Sequence, residues 1–260
     1  MKKFLITLAT GGFILAAGGT GFAQEEQEAP DAAIPVELFA CKYNDGMGPA
    51  DLDKVIAKWN KWADEREMSD YTAWTLTKFY AGPEQDFDVA WLGAARDAKT
   101  LGRLQDDWVA NGGELQAEFD RVAPCNAHGN FAAVNFKQPP EDDDPPSNIV
   151  LSFSDCNIAD GKTFGDVAPA LESWADYRTG HGSTAGMWVL FPAYGGGGEE
   201  FDFKFVTGHR THEQQGADWD AYAAGGYAKA AELFGGLLDC DSARVYNAQN
   251  RRRAADEEEE

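Results

Sequence analysis

Two segments of this 260-residue chain carry the same rare residues in the same order. When the sequence is shifted along itself by 115 or 114 positions, residues of one segment align with identical residues of the other. The aligned residues are Cys41, Trp59 and Cys125 with Cys156, Trp174 and Cys240 at a shift of 115, and Trp74, Tyr80 and Arg96 with Trp188, Tyr194 and Arg210 at a shift of 114. Such a repeat indicates an internal duplication, so we expect the chain to fold as two similar units.

The N-terminal residues indicate an exported protein. Two lysines are followed by an apolar run from Phe4 to Gly19 and by small residues at Gly21 and Ala23, which is typical of a signal peptide at 1–23, cleaved before Gln24. Threonines and glycines dilute the apolar run, which disfavours the alternative of a retained membrane anchor. We therefore expect a periplasmic or secreted protein without a membrane segment after cleavage.

Charged and proline-rich stretches set the remaining boundaries. The predicted segments are an acidic leader at 24–35, a first unit at 36–136, a Pro- and Asp-rich linker at 137–148, a second unit at 149–250 and a charged tail at 251–260.

The balance of charge limits the partners. The chain has 44 acidic and 22 basic residues, a formal net charge of −22. A nucleic-acid binder needs a concentrated basic surface, and the same argument disfavours anionic membranes. We expect a small-molecule ligand as the partner of a monomer or homodimer.

Each unit has the pattern strand, helix, strand, strand, helix, strand. In the first unit an apolar run at 37–42 ends in a turn, and from Pro49 apolar residues recur at helical spacing. Two β-rich runs at 71–80 and 87–96 follow as a hairpin. A second helical stretch is interrupted by glycines at 112–113, or at 225–226 in the second unit, and a last strand closes each unit. This order predicts an α+β fold of two tandem ferredoxin-like (βαββαβ) units.

With aromatic residues on its sheet faces, the chain over 36–250 resembles the dimeric α+β barrel superfamily, which is antibiotic-biosynthesis-monooxygenase-like, in a fused tandem form. The resemblance implies that the two sheets pack together as an intramolecular barrel. Haem-degrading members of this fold use an Asn, a Trp and a His around the porphyrin. The first unit has Asn44 and Trp91 without a His near its second helix, and the second has Asn157 and His212 with Phe205 in place of the Trp. Neither unit holds the whole set, so no cofactor is identified. Haem or another flat apolar molecule stays an alternative ligand for a cavity between helix and sheet.

The cysteines repeat one spacing. Cys41 and Cys125 are 84 residues apart, and so are Cys156 and Cys240. In an exported chain this favours one disulfide in each unit. A thiolate metal site or a reactive cysteine is the alternative, which the absence of a CxxC motif disfavours.

The candidate site residues cluster in the second unit. His209 and His212 are weak candidates for catalysis, but no metal ligands are assigned because on a strand they would point to opposite faces. Candidates for ligand binding between sheet and helices are Trp188, Tyr194, Phe205, Arg210 and His212. The same aromatic residues could instead be core residues of the sheet.

We therefore expect an exported protein that binds a small apolar or aromatic ligand. One alternative is an oxygenase-like or metal-assisted enzyme with its site in the second unit. Another is a structural or interaction module without a pocket.

Overall fold

A computed structural model describes residues 33–140 and 145–255 of the chain. The predicted signal peptide, most of the acidic leader, the linker residues 141–144 and the last five residues of the tail lie outside the described residues. We call residues 34–137 the first half and residues 148–252 the second half.

The first half contains strands and helices in the order that the sequence predicts, and the second half adds one short strand before its last strand. The first half has β1 (Ile34–Cys41), α1 (Pro49–Asp64), β2 (Tyr71–Tyr80), β3 (Val89–Ala95), α2 (Ala98–Asn111), α3 (Gly113–Val122) and β4 (Cys125–Lys137). The second half has β5 (Asn148–Ile158), α4 (Phe164–Gly180), β6 (Gly186–Tyr194), β7 (Phe203–His209), α5 (His212–Ala221), a π-helical turn (Tyr222–Gly226), α6 (Tyr227–Phe234), β8 (Leu238–Cys240) and β9 (Arg244–Arg252).

Within the described residues, eight strands close into an antiparallel barrel in the order β7-β6-β4-β1-β3-β2-β9-β5, and β5 pairs with β7. The short strand β8 is added at the edge of β5. The halves meet at two seams, where Leu76 of β2 lies opposite Ala248 of β9 and Ala133 of β4 lies opposite Leu190 of β6. This confirms the predicted α+β barrel architecture.

The barrel interior is an apolar core to which both halves contribute. Because successive side chains of a strand point to opposite faces, every second side chain faces this core and the side chains between them face the helices outside. The buried interior residues are Val36, Leu76, Ala90, Phe131, Ala133, Leu151, Phe153, Leu190, Val206, Tyr246 and Ala248.

The helices cover the outer face of the barrel. In α1 the predicted apolar stripe is buried at Leu52, Val55, Ile56 and Trp59. The glycines of both second helical stretches interrupt them as expected: α2 ends before Gly112, and the second half has the π-helical turn with a positive φ of 144° at Gly225. In the described residues, no helix is long and apolar enough to cross a membrane.

Both predicted disulfides are present. Cys41 bonds Cys125, and Cys156 bonds Cys240, each at a separation of 84 residues. Each bond links the first strand of a half to the strand that follows its last helix, and its two cysteines lie opposite each other on paired strands.

Two strands run beyond the predicted unit boundaries. β1 begins at Ile34, within the segment predicted as leader, and β9 continues to Arg252, within the segment predicted as tail. Arg252 pairs in the sheet with Ala73, and its guanidinium donates to the carbonyl oxygen of Met68. These distant partners order an arginine that belongs, in the sequence, to the segment predicted as a charged tail.

Candidate functional site

A cavity of about 700 Å³ lies in the first half, between the outer face of the barrel and the helices α1, α2 and α3. Its volume is within the range of small-molecule sites. The lining is mainly aromatic and aliphatic, with a few polar side chains. The residues that matter for its chemistry are Glu37, Phe39, Trp59, Tyr71, Trp91, Gln105, Trp108, Phe119, Asp120 and His128.

Strand alternation places these side chains. On β1, Val36 and Leu38 pack with the barrel core, so Glu37 and Phe39 point outward to the helices. On β3, Trp91 is likewise directed to the helical side, where it packs with residues of the helices. On β1 the side chains that face the barrel core are therefore apolar, whereas the outward-facing side chains include the polar group at the floor of the cavity.

Aromatic rings form the walls. The Trp59 and Trp91 rings are perpendicular with centroids 5.0 Å apart, and the Phe119 centroid is 6.4 Å from those of both Trp91 and Trp108. Edge-to-face contacts of this kind fix ring orientation and add stability beyond area burial. The walls are therefore held in place by their own packing.

Glu37 is the polar centre of the site. Its side chain accepts hydrogen bonds from the Tyr71 hydroxyl at 2.7 Å and the Gln105 amide at 3.0 Å, and its Oε2 lies 3.1 Å from Nε2 of His128. The Tyr71 hydroxyl in turn accepts from the Trp91 indole at 3.1 Å. Glu37 is only 6% exposed, so these donors replace the water that a buried carboxylate loses.

The electrostatic balance keeps this carboxylate ionised. Burial raises the pKa of Glu37, but hydrogen bonds from His128, Tyr71 and Gln105 lower it by more, and the resulting pKa lies below its ordinary value. Burial, with the nearby Glu37 charge second, raises the pKa of Tyr71 well above its usual range. Tyr71 is therefore a neutral hydrogen-bond donor to an anionic Glu37.

A glycine makes room for this arrangement. Gly93 of β3 lies opposite Ala73 of β2, and a Cβ at position 93 would overlap the Tyr71 hydroxyl. Any side chain there would push the phenol away from Glu37. Gly93 is thus required for the hydrogen bond between Tyr71 and Glu37.

The mouth of the cavity is also polar. The His128 ring stacks on Phe39 with centroids 3.6 Å apart, and Gln116 donates a hydrogen bond to Asp120 at 2.8 Å. Among the described residues that line the cavity there is no lysine or arginine. Its charged groups are therefore two carboxylates, with His128 beside one of them.

None of the five residues proposed from the sequence as a ligand pocket lines this cavity. Trp188 packs against the barrel core and over Gly208, and Phe205 packs on the core beneath α4. Tyr194 is 79% exposed at the end of β6. The structure does not bring these three side chains together around a common space.

The remaining candidates of the second half have separate surroundings. His209 is buried and its Nε2 lies 2.8 Å from Oδ2 of Asp218, whereas Nε2 of His212 lies 2.8 Å from Oδ1 of Asn247. Arg210 is exposed, and its backbone N–H donates to Gln214 at 3.1 Å. Catalysis or binding at these residues stays a prediction.

In the second half the space beneath the helices is occupied by side chains. A void of about 20 Å³ remains there, and Asp218 beside it pairs with Arg178, accepts from Ser183 at 2.8 Å and contacts His209. Burial raises the pKa of Asp218, but the hydrogen bonds from His209 and Ser183 and the Arg178 charge hold it well below its usual range. Beneath the helices, the second half thus has an ion-pair network, whereas the first half has a cavity.

Glu37 was missed as a site residue, although the sequence contains a signal for it. A carboxylate in the apolar run IPVELFAC must be desolvated if the strand is central, and such a group needs dedicated partners. Its equivalent at a shift of 115 is Ser152, which accepts a hydrogen bond from Gln215 at 3.0 Å. The charge is therefore particular to the first half.

The residues present do not fit haem in the way the resemblance implies. Trp91 lines the cavity, but the Asn44 amide donates to the carbonyl oxygens of Asp120 and Arg121 at 3.0 Å, at the end of α3. No cationic side chain of the lining could meet the carboxylates of a porphyrin. Among residues 33–140 and 145–255, no group of three or more His, Cys, Asp or Glu residues could hold a metal ion.

Comparisons with known proteins identify the fold. No protein-family model matches the sequence, and no curated protein matches it. A provisionally named monooxygenase from Fusobacterium nucleatum has a TM-score of 0.54 and 8% identity over 86% of this chain and 94% of its own. A similarly named protein from Lactobacillus acidophilus has a TM-score of 0.52 and 9% identity over 85% and 95%.

A mutant chlorite dismutase from Candidatus Nitrospira defluvii has a TM-score of 0.51 and 7% identity over 84% of this chain and 92% of its own. At these identities the likeness concerns the fold alone. The chain shares the dimeric α+β barrel fold of these proteins.

Proposed function

We propose that this protein is an exported binding protein for a small apolar or aromatic molecule, held between the helices and the barrel of the first half. The observation that carries the proposal is the cavity of about 700 Å³ with aromatic walls and one buried carboxylate, Glu37. Sites of this kind bury an apolar ligand and orient it by a few polar groups.

The aromatic walls supply the affinity. Trp59, Trp91, Trp108 and Phe119 offer ring faces and edges on several sides of the same space. Contact with these rings removes apolar ligand surface from water, which is favourable in proportion to the area buried. The polar groups at Glu37 then select molecules by their hydrogen-bond donors.

We further propose that the halves are fused copies of one ferredoxin-like unit, of which the first retained a cavity and the second filled it. The repeat of cysteine and tryptophan positions and the repeated element order support this. Two observations support the division of roles. Ser152 stands at the position equivalent to Glu37, and Asp218 with its partners closes the space in the second half.

Export is proposed on the pattern of residues 1–23 and on the two disulfides, which persist in oxidising compartments. The exported chain would act as a monomer or homodimer. A module without a pocket is disfavoured by the cavity.

An oxygenase-like enzyme is the second candidate, because fold neighbours carry the names monooxygenase and chlorite dismutase. The sequence places its working groups at His209 and His212. Metal analysis, a visible spectrum and oxygen uptake of the protein from its native compartment test this candidate, and a colourless, metal-free protein without oxygen uptake would remove it.

Titration with the neutral fluorophore N-phenyl-1-naphthylamine tests the binding proposal. Leu104 lines the cavity, so Leu104→Trp should fill part of it and weaken binding by about tenfold, equivalent to about 1.4 kcal/mol. His212→Ala is the matched control in the second half and should bind as the wild type does.

The reverse pattern, with His212→Ala losing the probe and Leu104→Trp retaining it, would contradict the proposal and favour the site in the second half. Circular dichroism of both variants must match the wild type.

A further inference from the structure

Apart from His128, which pairs with Glu37, the charged side chains of the cavity lining have one sign. Glu37 lies at its floor and Asp120 at its mouth, and no lysine or arginine of the described chain lines it. Within the same residues, Glu37 has no ion-pair partner other than His128. The lining is therefore suited to a positive ligand and repels a negative one.

Donors from residues 33–140 and 145–255 leave one acceptor position of Glu37 unused. Its Oε2 contacts both Gln105 and His128, whereas from these residues Oε1 accepts a single hydrogen bond, from Tyr71. Each carboxylate oxygen has two acceptor sites. A ligand N–H or O–H can therefore complete the coordination of Oε1 without displacing a protein donor.

The walls favour the same kind of ligand. A cation is attracted to the face of an aromatic ring, most strongly to tryptophan, and groups of such rings recognise ammonium ions. Trp59, Trp91 and Trp108 line the cavity together with Phe39 and Phe119. Aromatic faces around a buried carboxylate combine the two features that bind organic ammonium groups.

We infer that the cavity selects an organic cation: an aromatic molecule that carries a protonated nitrogen, with its N–H donated to Glu37 and its ring against the aromatic walls of the cavity. This inference rests on the proposed function and names its ligand class. The lowered pKa of Glu37 keeps the carboxylate charged at neutral pH. The net charge of −22 also raises the local concentration of cations around the molecule.

Three ligands of nearly equal shape and different charge test the inference. They are 1-naphthylmethylammonium, its neutral isostere 1-ethylnaphthalene and 1-naphthaleneacetate, the anion of 1-naphthaleneacetic acid. The affinity of each is measured by displacement of N-phenyl-1-naphthylamine from the wild-type protein. We expect the ammonium to bind at least about tenfold more tightly than the isostere, and the anion to bind most weakly.

Glu37→Gln tests whether Glu37 is the residue that selects for the positive charge of the ligand. It should reduce the preference for the ammonium over 1-ethylnaphthalene to about threefold or less, the remainder coming from the aromatic faces. Glu213→Gln removes an exposed carboxylate of the second half and should retain the full preference. The ordering of the three ligands on the wild type provides the test if Glu37→Gln does not fold.

The outcomes separate the two proposals. Equal binding of all three ligands overturns the inference and leaves the binding function intact. Failure of every ligand and of the fluorophore overturns both. A preference that survives in a folded Glu37→Gln protein contradicts the role assigned to Glu37.

Discussion

Replacing Tyr71 by phenylalanine should destabilise the protein through the loss of one oxygen atom. Tyr71 is 5% exposed, and its hydroxyl donates to Glu37 at 2.7 Å while it accepts from the Trp91 indole at 3.1 Å. The variant leaves a buried carboxylate with one donor fewer and the indole N–H of the half-buried Trp91 without its acceptor. No apolar surface is exposed by the change, so the effect reports the hydrogen bonds.

The magnitude follows from the two partners. A hydrogen bond to a charged group contributes about 1.5–3 kcal/mol, and an unsatisfied buried donor costs about 1–3 kcal/mol. Since Trp91 lines the cavity, water can partly satisfy its indole. We therefore expect Tyr71→Phe to lower the free energy of unfolding by about 2–4 kcal/mol.

Urea unfolding followed by far-ultraviolet circular dichroism measures this change without relying on the affected tryptophan. Tyr80→Phe is the matched control, because Tyr80 lies on the same strand and is 62% exposed, and its effect should stay within about 0.5 kcal/mol. In a double-mutant cycle, Tyr71→Phe and Glu37→Gln should couple by about 1 kcal/mol or more. Equal, small effects of both tyrosine substitutions would refute the reasoning.

Two further predictions concern acid and the disulfides. Because the pKa of Glu37 is lower in the folded protein, its contribution to stability is complete above the ordinary pKa of 4.5 and is lost as the pH falls through the folded value. When urea unfolding is compared at about pH 6 and about pH 3.5, the wild type should therefore lose more stability than Glu37→Gln. Equal losses would contradict this prediction. Serine replacement of either disulfide opens a loop closed over a separation of 84 residues and should cost up to about 4.5 kcal/mol in the chain-entropy model. Only the pair Cys41 and Cys125 lines the cavity, so its loss alone should weaken binding of the fluorophore, and similar losses for both pairs would argue against the site.

Features that depend on local periodicity or on the repeat could be predicted from the sequence. The helical stripe of α1 has a strong period, the strand Tyr71–Tyr80 is rich in β-forming residues, and the two disulfides follow from the repeated spacing. Strand ends were less predictable. Arg252 belongs to β9 because of pairing with Ala73 and contacts with Met68, which are distant in the chain.

Residues that the two halves share could not by themselves show which half has a cavity. Trp74 and Trp188 occupy equivalent positions, and both pack against the barrel core, which the two halves build together. Trp59 is also shared, with Trp174, and it lines the cavity. A search for residues retained in both halves therefore finds core residues and cavity residues together.

The cavity depends on residues in which the halves differ. At the equivalent positions Glu37 is replaced by Ser152, Tyr71 by Ala185 and Trp91 by Phe205. The packing of the outer face decides which half is hollow, and this packing involves strands and helices that the linear pattern does not bring together.

The most direct test of the account is a crystal structure of the protein with 1-naphthylmethylammonium. The account predicts the naphthalene ring between the barrel and α1–α3 of the first half, in contact with Trp91, and the ammonium nitrogen within hydrogen-bond distance of Oε1 of Glu37. Ligand bound in the second half beside His212, or bound in the first half with its nitrogen turned away from Glu37, would contradict it.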